Sequence, residues 1–155
     1  MGILEIFERL LGTSRQEKRI DFKEILCKRK DDDYIKKLKT PVVGSDHKNI
    51  DGSERQNALK KLKKGEKIRL LWNTGDSGNK RIIYLLRSGG THELAMSDCF
   101  GRLNDNVAGD VIRWMTRENI VTSAIVVKLT GGTRKRPKQG CVLELRTYPA
   151  PDQKA

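Results

Sequence analysis

Four cations crowd one short loop. In residues 128–148, KLTGGTRKRPKQGCVLELRTY, two apolar-alternating runs flank a connection that holds Arg134, Lys135, Arg136 and Lys138 with two glycines, one proline and no acid. A hairpin connection needs a turn, not this charge. Cations gathered on a loop suit phosphate oxygens. Few other residues could do chemistry. His47 and His92 are the only histidines, and both fall in loops or turns. Cys27, Cys99 and Cys141 lie far apart with no Cys-x-x-Cys pair, so they read as reduced thiols, with Cys99 and Cys141 as small core residues. Asn73 and Asp76 close an apolar run. They could hydrogen-bond a terminal hydroxyl or an unpaired base edge, or form the turn through their own side chains. Phosphate-loop, zinc-ligand and paired-carboxylate motifs are absent from the chain, so neither catalysis nor a cofactor is expected.

The charge balance points the same way. The chain has 155 residues, with 32 Lys+Arg against 20 Asp+Glu and a formal net charge of +12. Such an excess suits a polyanion, nucleic acid first and anionic membrane second. Residues 41–155 hold 21 of the cations and 12 of the acids, so the surplus belongs mainly to the body. No apolar run approaches the roughly 20 residues of a membrane span. The opening MGILEIFERLLG is broken by Glu5, Glu8 and Arg9, unlike a signal peptide, and Ile6 stands where myristoylation wants Ser or Thr. The expected location is cytoplasmic, with no membrane partner.

These residues must be held by elements. Residues 2–11 put Ile3, Phe7, Leu10 and Leu11 on one helical face, a surface for a protein partner, self-association or the chain's own body. Residues 13–39 are charge-dense and read as a solvated arm, so 1–39 form a helical, charged extension. Asp31, Asp32 and Asp33 lack the alternation and glycine of a calcium loop. The body covers 40–149, and a polar tail follows at 150–155. Its first strand begins at TPVVG. A helix over 53–64 is capped by Ser53 with Gln56 closing a capping box. It buries Ala58, Leu59 and Leu62, solvates Arg55, Lys60, Lys61, Lys63 and Lys64, and stops at Gly65. EKIRLLWN turns Ile68, Leu70 and Trp72 to the core, and KRIIYLLRSGGTHELAM reads as a hairpin turning at Gly89 and Gly90. FGRL is a short strand. Asn104 then caps a helix whose inner face is Val107, Val111, Trp114 and Met115. IVTSAIVVKLT places Val121, Ile125, Val127 and Leu129 on one side, and CVLELRTY does so with Cys141, Leu143 and Leu145. The sum is α+β, mainly β: a small barrel of about six strands with two helices. Lys80, Arg81, Arg102 and the 134–138 loop fall at strand ends and turns, where groove cations belong. Tyr84 and Tyr148 are stacking candidates that serve equally well as core or rim.

In this order the pieces of residues 41–148 resemble the HIRAN domain, found at the N-terminus of fork-remodelling ATPases and as a stand-alone bacterial protein. VVG (Val42, Val43, Gly44) resembles its opening strand. LLWNTGD resembles its strand ending in Asn-Pro-x-Asp, with Asn73 and Asp76 in the matching places. CFGRLNDNVAGDVIRWM resembles its Ile-Gly-Tyr-Leu strand and following helix, and VVKLTGG with GCVLEL its closing hairpin. The resemblance implies an OB-like barrel that binds single-stranded DNA in a DNA-repair setting. It also implies a pocket for a free 3′ end, built from the loop after the first strand and the Asn-Pro-x-Asp loop. That first loop here carries Asp46, His47 and Lys48 in place of an arginine and aromatics, and Thr74 and Gly75 replace the proline and the residue after it.

Overall fold

The computed structural model describes residues 22–27, 34–74, 81–88 and 95–150. Its elements are, in chain order, β1 (Phe22–Ile25), β2 (Lys36–Pro41), α1 (Arg55–Leu59), β3 (Lys67–Asn73), β4 (Ile83–Arg87), β5 (Cys99–Arg102), α2 (Asp105–Arg117), β6 (Ile120–Gly131) and β7 (Gln139–Pro149). The strands form one antiparallel sheet in the order β2-β7-β6-β3-β4-β5, with β1 laid on β3 outside that path. The six-strand path curls into a half-barrel with two helices, the α+β, mainly β architecture expected. Among the described residues no helix is long and apolar enough to cross a membrane. Residues 2–11, Asp31 to Asp33, the turn at Gly89 and Gly90, His92 and the tail beyond Ala150 lie outside the described residues.

Two strands come from the stretch expected to be a solvated arm. In β2 the lysines mask a period of two: Leu38 and Thr40 turn inward while Lys37 and Lys39 stay exposed. Lysine is at home there because β2 ends the path, and edge charge discourages pairing with another chain. β1 pairs Phe22 with Asn73 and Ile25 with Leu70, so the sheet draws on residues well before 40.

The first helix is shorter than its apolar stripe suggests. α1 is five residues long, with Glu54 at its N-cap and no side-chain cap bond. Ser53 instead bonds Asp51 through its amide (2.9 Å) and hydroxyl (2.5 Å), a local turn that competes with capping. Ala58, Leu59 and Leu62 are buried as expected. Leu62 bonds back to Leu59, tightening the chain after the helix, and Gly65 at φ +90° delivers its amide to Val126. α2 follows its pattern closely. The Asn104 side chain accepts from the Val107 amide at 2.9 Å, and Ala108, Val111 and Trp114 are buried.

β6 faces the opposite way from its expected parity. Thr122, Ala124 and Val126 are buried, while Val121, Ile125 and Val127 are half-buried and Leu129 is exposed. Side-chain size misled the pattern. α2 packs on β6, and close approach of a helix favours small residues beneath it. A register shift between Val126 and Lys128 then rephases the strand. β3 and β4 bury both faces. Leu70, Ile83 and Leu85 belong to the main core, whereas Leu71 and Leu86 join Met96 and Cys99 in a second cluster. β4 takes β5 as its partner on the side away from β3.

Candidate functional site

The two ends of the curled sheet meet beside Gly44. Val43 and Arg102 exchange backbone hydrogen bonds of 3.0 Å in both directions, linking the segment after β2 to β5. Gly101 permits this approach, since a Cβ there would overlap the Val42 side chain and lie 2.9 Å from the Val43 carbonyl oxygen. Gly44 then takes φ +71° and turns the chain into the 45–48 loop.

Arg55 lies beneath that turn. It is buried at 8% exposure, which corrects its expected place on a solvated helix face. Its Nη1 donates to the Gly44 carbonyl at 2.8 Å and its Nε to Asn49 Oδ1 at 2.9 Å. Asn49 Nδ2 donates onward to the Met96 (2.9 Å) and Cys99 (3.1 Å) carbonyls. The guanidinium sits 5.9 Å from the Tyr84 ring centre, a cation–π contact. One buried network thus fixes the loop, α1 and β5 together.

Gln56 joins the two basic loops. Its Nε2 donates to Ser45 O (3.1 Å) and Gln139 O (3.0 Å), and its Oε1 accepts from the Gln139 amide at 2.8 Å. These bonds replace the capping box expected of it. Lys138 Nζ lies 3.7 Å from Asp46 Oδ2, across the seam between the loops. His47, Lys48, Arg134, Lys135, Arg136 and Lys138 are all exposed. The 132–138 loop has a turn of its own: the Thr133 amide donates to Arg136 O (2.9 Å) and the Arg136 amide to Thr133 Oγ1 (3.1 Å). Gly131 at its base has φ +74°, and a Cβ there would collide with the Lys138 carbonyl.

Arg102 and Tyr84 border this face as cross-strand partners. Arg102 Nη1 bonds Asp105 Oδ1 at 2.8 Å. Tyr84 is half-buried, 6.0 Å from the Phe22 ring centre. Burial pushes its hydroxyl pKa up, Cys99 adds to that, and Arg55 and Arg102 oppose it. Asn73 is 7% exposed at the end of β3, its amide bonded to Ile82 O at 3.0 Å. It therefore sits in the sheet rim and not on an open loop. Asp76 and Lys80 lie outside the described residues. Arg81 leaves this face and lies against Gly109 of α2, within 3.6–3.8 Å of where a Cβ would stand. Tyr148 is 2% exposed and belongs to the core, so it offers no stacking surface. Cys27, Cys99 and Cys141 are free and buried, and burial pushes the Cys141 thiol up to about 12.

The sequence thus names most of one face: His47, Lys48, Arg102, Tyr84 and the 134–138 cations. It misses the parts that assemble them. Gln56 and Arg55 looked like a cap and a surface charge. Trp72 is half-buried and not fully in the core, and with Arg113 and Arg117 it lines a groove beside Arg81. The α2 polar stripe Asn106, Asp110, Arg113, Arg117, at helical spacing, was the signal that could have found this groove. No family model, curated protein or solved structure matches the chain.

Proposed function

We propose that the protein binds single-stranded nucleic acid, DNA or DNA ends first, along the basic face formed by the 45–48 and 132–138 loops and Arg102. The observation that carries this reading is the seam between the loops. Gln56 and the Lys138–Asp46 pair bring together cations some 90 residues apart in sequence, on a face where Lys48, Arg134, Lys135, Arg136 and Lys138 are exposed and Asp46 is the acid at the seam. Exposed cations on a fixed scaffold neutralise phosphates without first losing their own hydration. The curled sheet suits an OB-like barrel, and the HIRAN resemblance points to the same ligand. The proposal needs no catalytic step and no cofactor, and it places the protein in the cytoplasm. The altered first loop and the enclosed Asn73 argue for weak selection of a 3′-hydroxyl end.

Anisotropy titrations with single-stranded, duplex and 3′-overhang oligonucleotides test the proposal. Changing Arg134, Lys135 and Arg136 together to alanine should flatten the slope of log affinity against log salt by roughly 2, at ~0.7 per single-strand phosphate. A slope that stays the same in the triple variant would remove these cations from the interface.

A further inference from the structure

The β6–β7 hairpin outruns the rest of the sheet. β3 pairs with β6 only at Lys67–Ile125 and Ile68–Ala124, and the β2 ladder on β7 ends at Pro41–Val142. Val42 still donates to the Cys141 carbonyl at 2.9 Å. Past that bond the pairs Thr130–Gly140 and Gly131–Gln139 continue with no third strand among the described residues. From Lys128 to Lys138 every residue except Gly131 is exposed. The ladder from Leu129 to Gly131, at ~3.4 Å per residue, carries the loop about 10 Å past the strands that flank the hairpin.

This ribbon is shaped in advance. Gly131 and Gly132, both at φ +74°, turn the chain into the loop. Thr133 and Arg136 close it with two hydrogen bonds, and Pro137 fixes its own φ. Gln56 holds the base through Gln139. A preformed loop loses little freedom on binding. Residues 128–138 carry five cations and neither an acid nor an aromatic ring. Lys138 is paired with Asp46, which leaves Lys128, Arg134, Lys135 and Arg136.

The missing ring decides which polyanion fits the tip. Single-strand sites add π-faces on which loose bases stack. Tyr84 stands beside Arg102 and not on the hairpin. An isolated strand can lay phosphates along the tip, but its bases find nothing there to stack on. A duplex keeps its bases stacked on one another, and proteins meet it through phosphates and groove edges. Its major groove, roughly 12 Å wide and roughly 8.5 Å deep, admits a two-stranded ribbon, and arginine is the common reader of guanine there. The minor groove, at roughly 6 Å, is too narrow for two strands.

We propose that the hairpin tip enters the major groove of a duplex flanking the bound single strand, with Arg134 and Arg136 at the base edges and Lys128 and Lys135 on phosphates. The preferred ligand is then a junction, duplex at the hairpin and single strand toward Arg102. The inference rests on the nucleic-acid reading above, and one experiment separates their failures. The full chain is titrated by anisotropy with a short oligothymidylate, with a hairpin-capped duplex, and with that duplex carrying the oligothymidylate as an overhang. The overhang duplex should bind about tenfold tighter than the oligothymidylate, with a salt slope steeper by roughly 2, at ~0.9 per duplex phosphate. Filling the major groove with glucosylated 5-hydroxymethylcytosine should erase that gain. Netropsin, which fills the minor groove of A·T pairs in the same arm, should not. Arg134→Ala with Arg136→Ala, both on an exposed loop, should cut the gain to about twofold or less. Lys60→Ala with Lys64→Ala, two exposed cations elsewhere, should keep it.

An overhang duplex that binds no tighter than the oligothymidylate would overturn the ribbon's role and leave the loop face standing. So would a gain that survives glucosylation, yields to netropsin or persists in the arginine pair. Binding of the duplex without any binding of the oligothymidylate would overturn the single-strand reading and leave the hairpin in its groove. A parent that binds none of the three ligands at low salt would overturn both.

Discussion

Arg55 and the cations at 134–136 lie on the two sides of the same seam and are held in opposite ways. Arg55 is 8% exposed, and among the described residues no carboxylate lies within 4.0 Å of it. Its charge is met by dipoles: the Gly44 carbonyl, the Asn49 amide oxygen and the Tyr84 ring. Arg134, Lys135 and Arg136 are exposed on a loop whose turn is closed by backbone and Thr133. The buried guanidinium has already exchanged water for fixed partners, and its planar fork suits that task. The loop cations have exchanged nothing, so their charge remains available to a polyanion. One residue type serves architecture at one place and solution chemistry at the other.

The largest expected effect attacks the buried side of that contrast. Arg55→Ala removes the donors to Gly44 O and Asn49 Oδ1 at once. Asn49 Oδ1 then loses its partner while Gly44 O keeps only the His47 amide at 3.2 Å, which should cost roughly 1–3 kcal/mol, a sizeable share of a typical domain's ~5–15 kcal/mol. Arg55→Lys should recover little, because one ammonium cannot reproduce the fork. Urea unfolding gives the number. The alanine triple at 134–136 should change stability by less than about 0.5 kcal/mol, as remote surface changes do. Equal melting of Arg55→Ala and the parent would dissolve the distinction.

A smaller effect tests whether the loop cations need their direction as well as their charge. Gly131→Ala keeps every cation but demands a Cβ at φ +74° and against the Lys138 carbonyl. The strain should cost about 1–3 kcal/mol. The chain after Gly131 must then shift. If direction matters, the salt slope of single-strand binding flattens although no charge was removed. A slope equal to that of the parent, measured well below the variant's melting temperature, would show that the loop acts only as a diffuse cloud of charge.

The same contrast explains what the sequence could reveal. Exposed charge was legible: the four loop cations, His47 and Lys48 stand on the surface as their loop positions suggested. α2 was legible from cap to last turn because its pattern is local. What failed was long-range. Gln56 looks like a cap until Gln139, which is 83 residues away, supplies its partner. Arg55 looks like surface until Gly44 folds over it. β2 looks like an arm because half of its six residues are lysine. β6 packs on α2 and buries Thr122, Ala124 and Val126, and hydrophobicity alone assigned it to the wrong face. Composition and periodicity report on the chain near a residue. These features depend on what the sheet brings back to it.

Arg146 supplies the intermediate case and the smallest effect. Its Nε bonds Glu144 Oε2 at 2.7 Å, and its guanidinium lies 5.1 Å from the Tyr34 ring centre. Here the partner does titrate. The Arg146 hydrogen bond holds the Glu144 carboxyl below its ordinary value, burial opposes it, and the charges of Arg146, Lys37 and Lys39 reinforce it. A lowered folded pKa means that the native state binds fewer protons than the unfolded chain. The resulting stability is present above the ordinary glutamate range, about 4.3, and is lost as pH falls through the lowered value. Glu144→Gln should therefore shallow the acid limb of the stability profile and lower the plateau near neutrality by the same small amount, since Arg146 is partly exposed and solvent screens the pair. Arg55 makes the opposite demand. Its partners are a carbonyl and an amide, which do not titrate, so the loss caused by Arg55→Ala should be the same near pH 4 as near pH 7. If the Arg55→Ala penalty itself shrinks in acid, an acidic group outside the described residues completes that network, and the division between dipole-held and carboxylate-held cations must be redrawn.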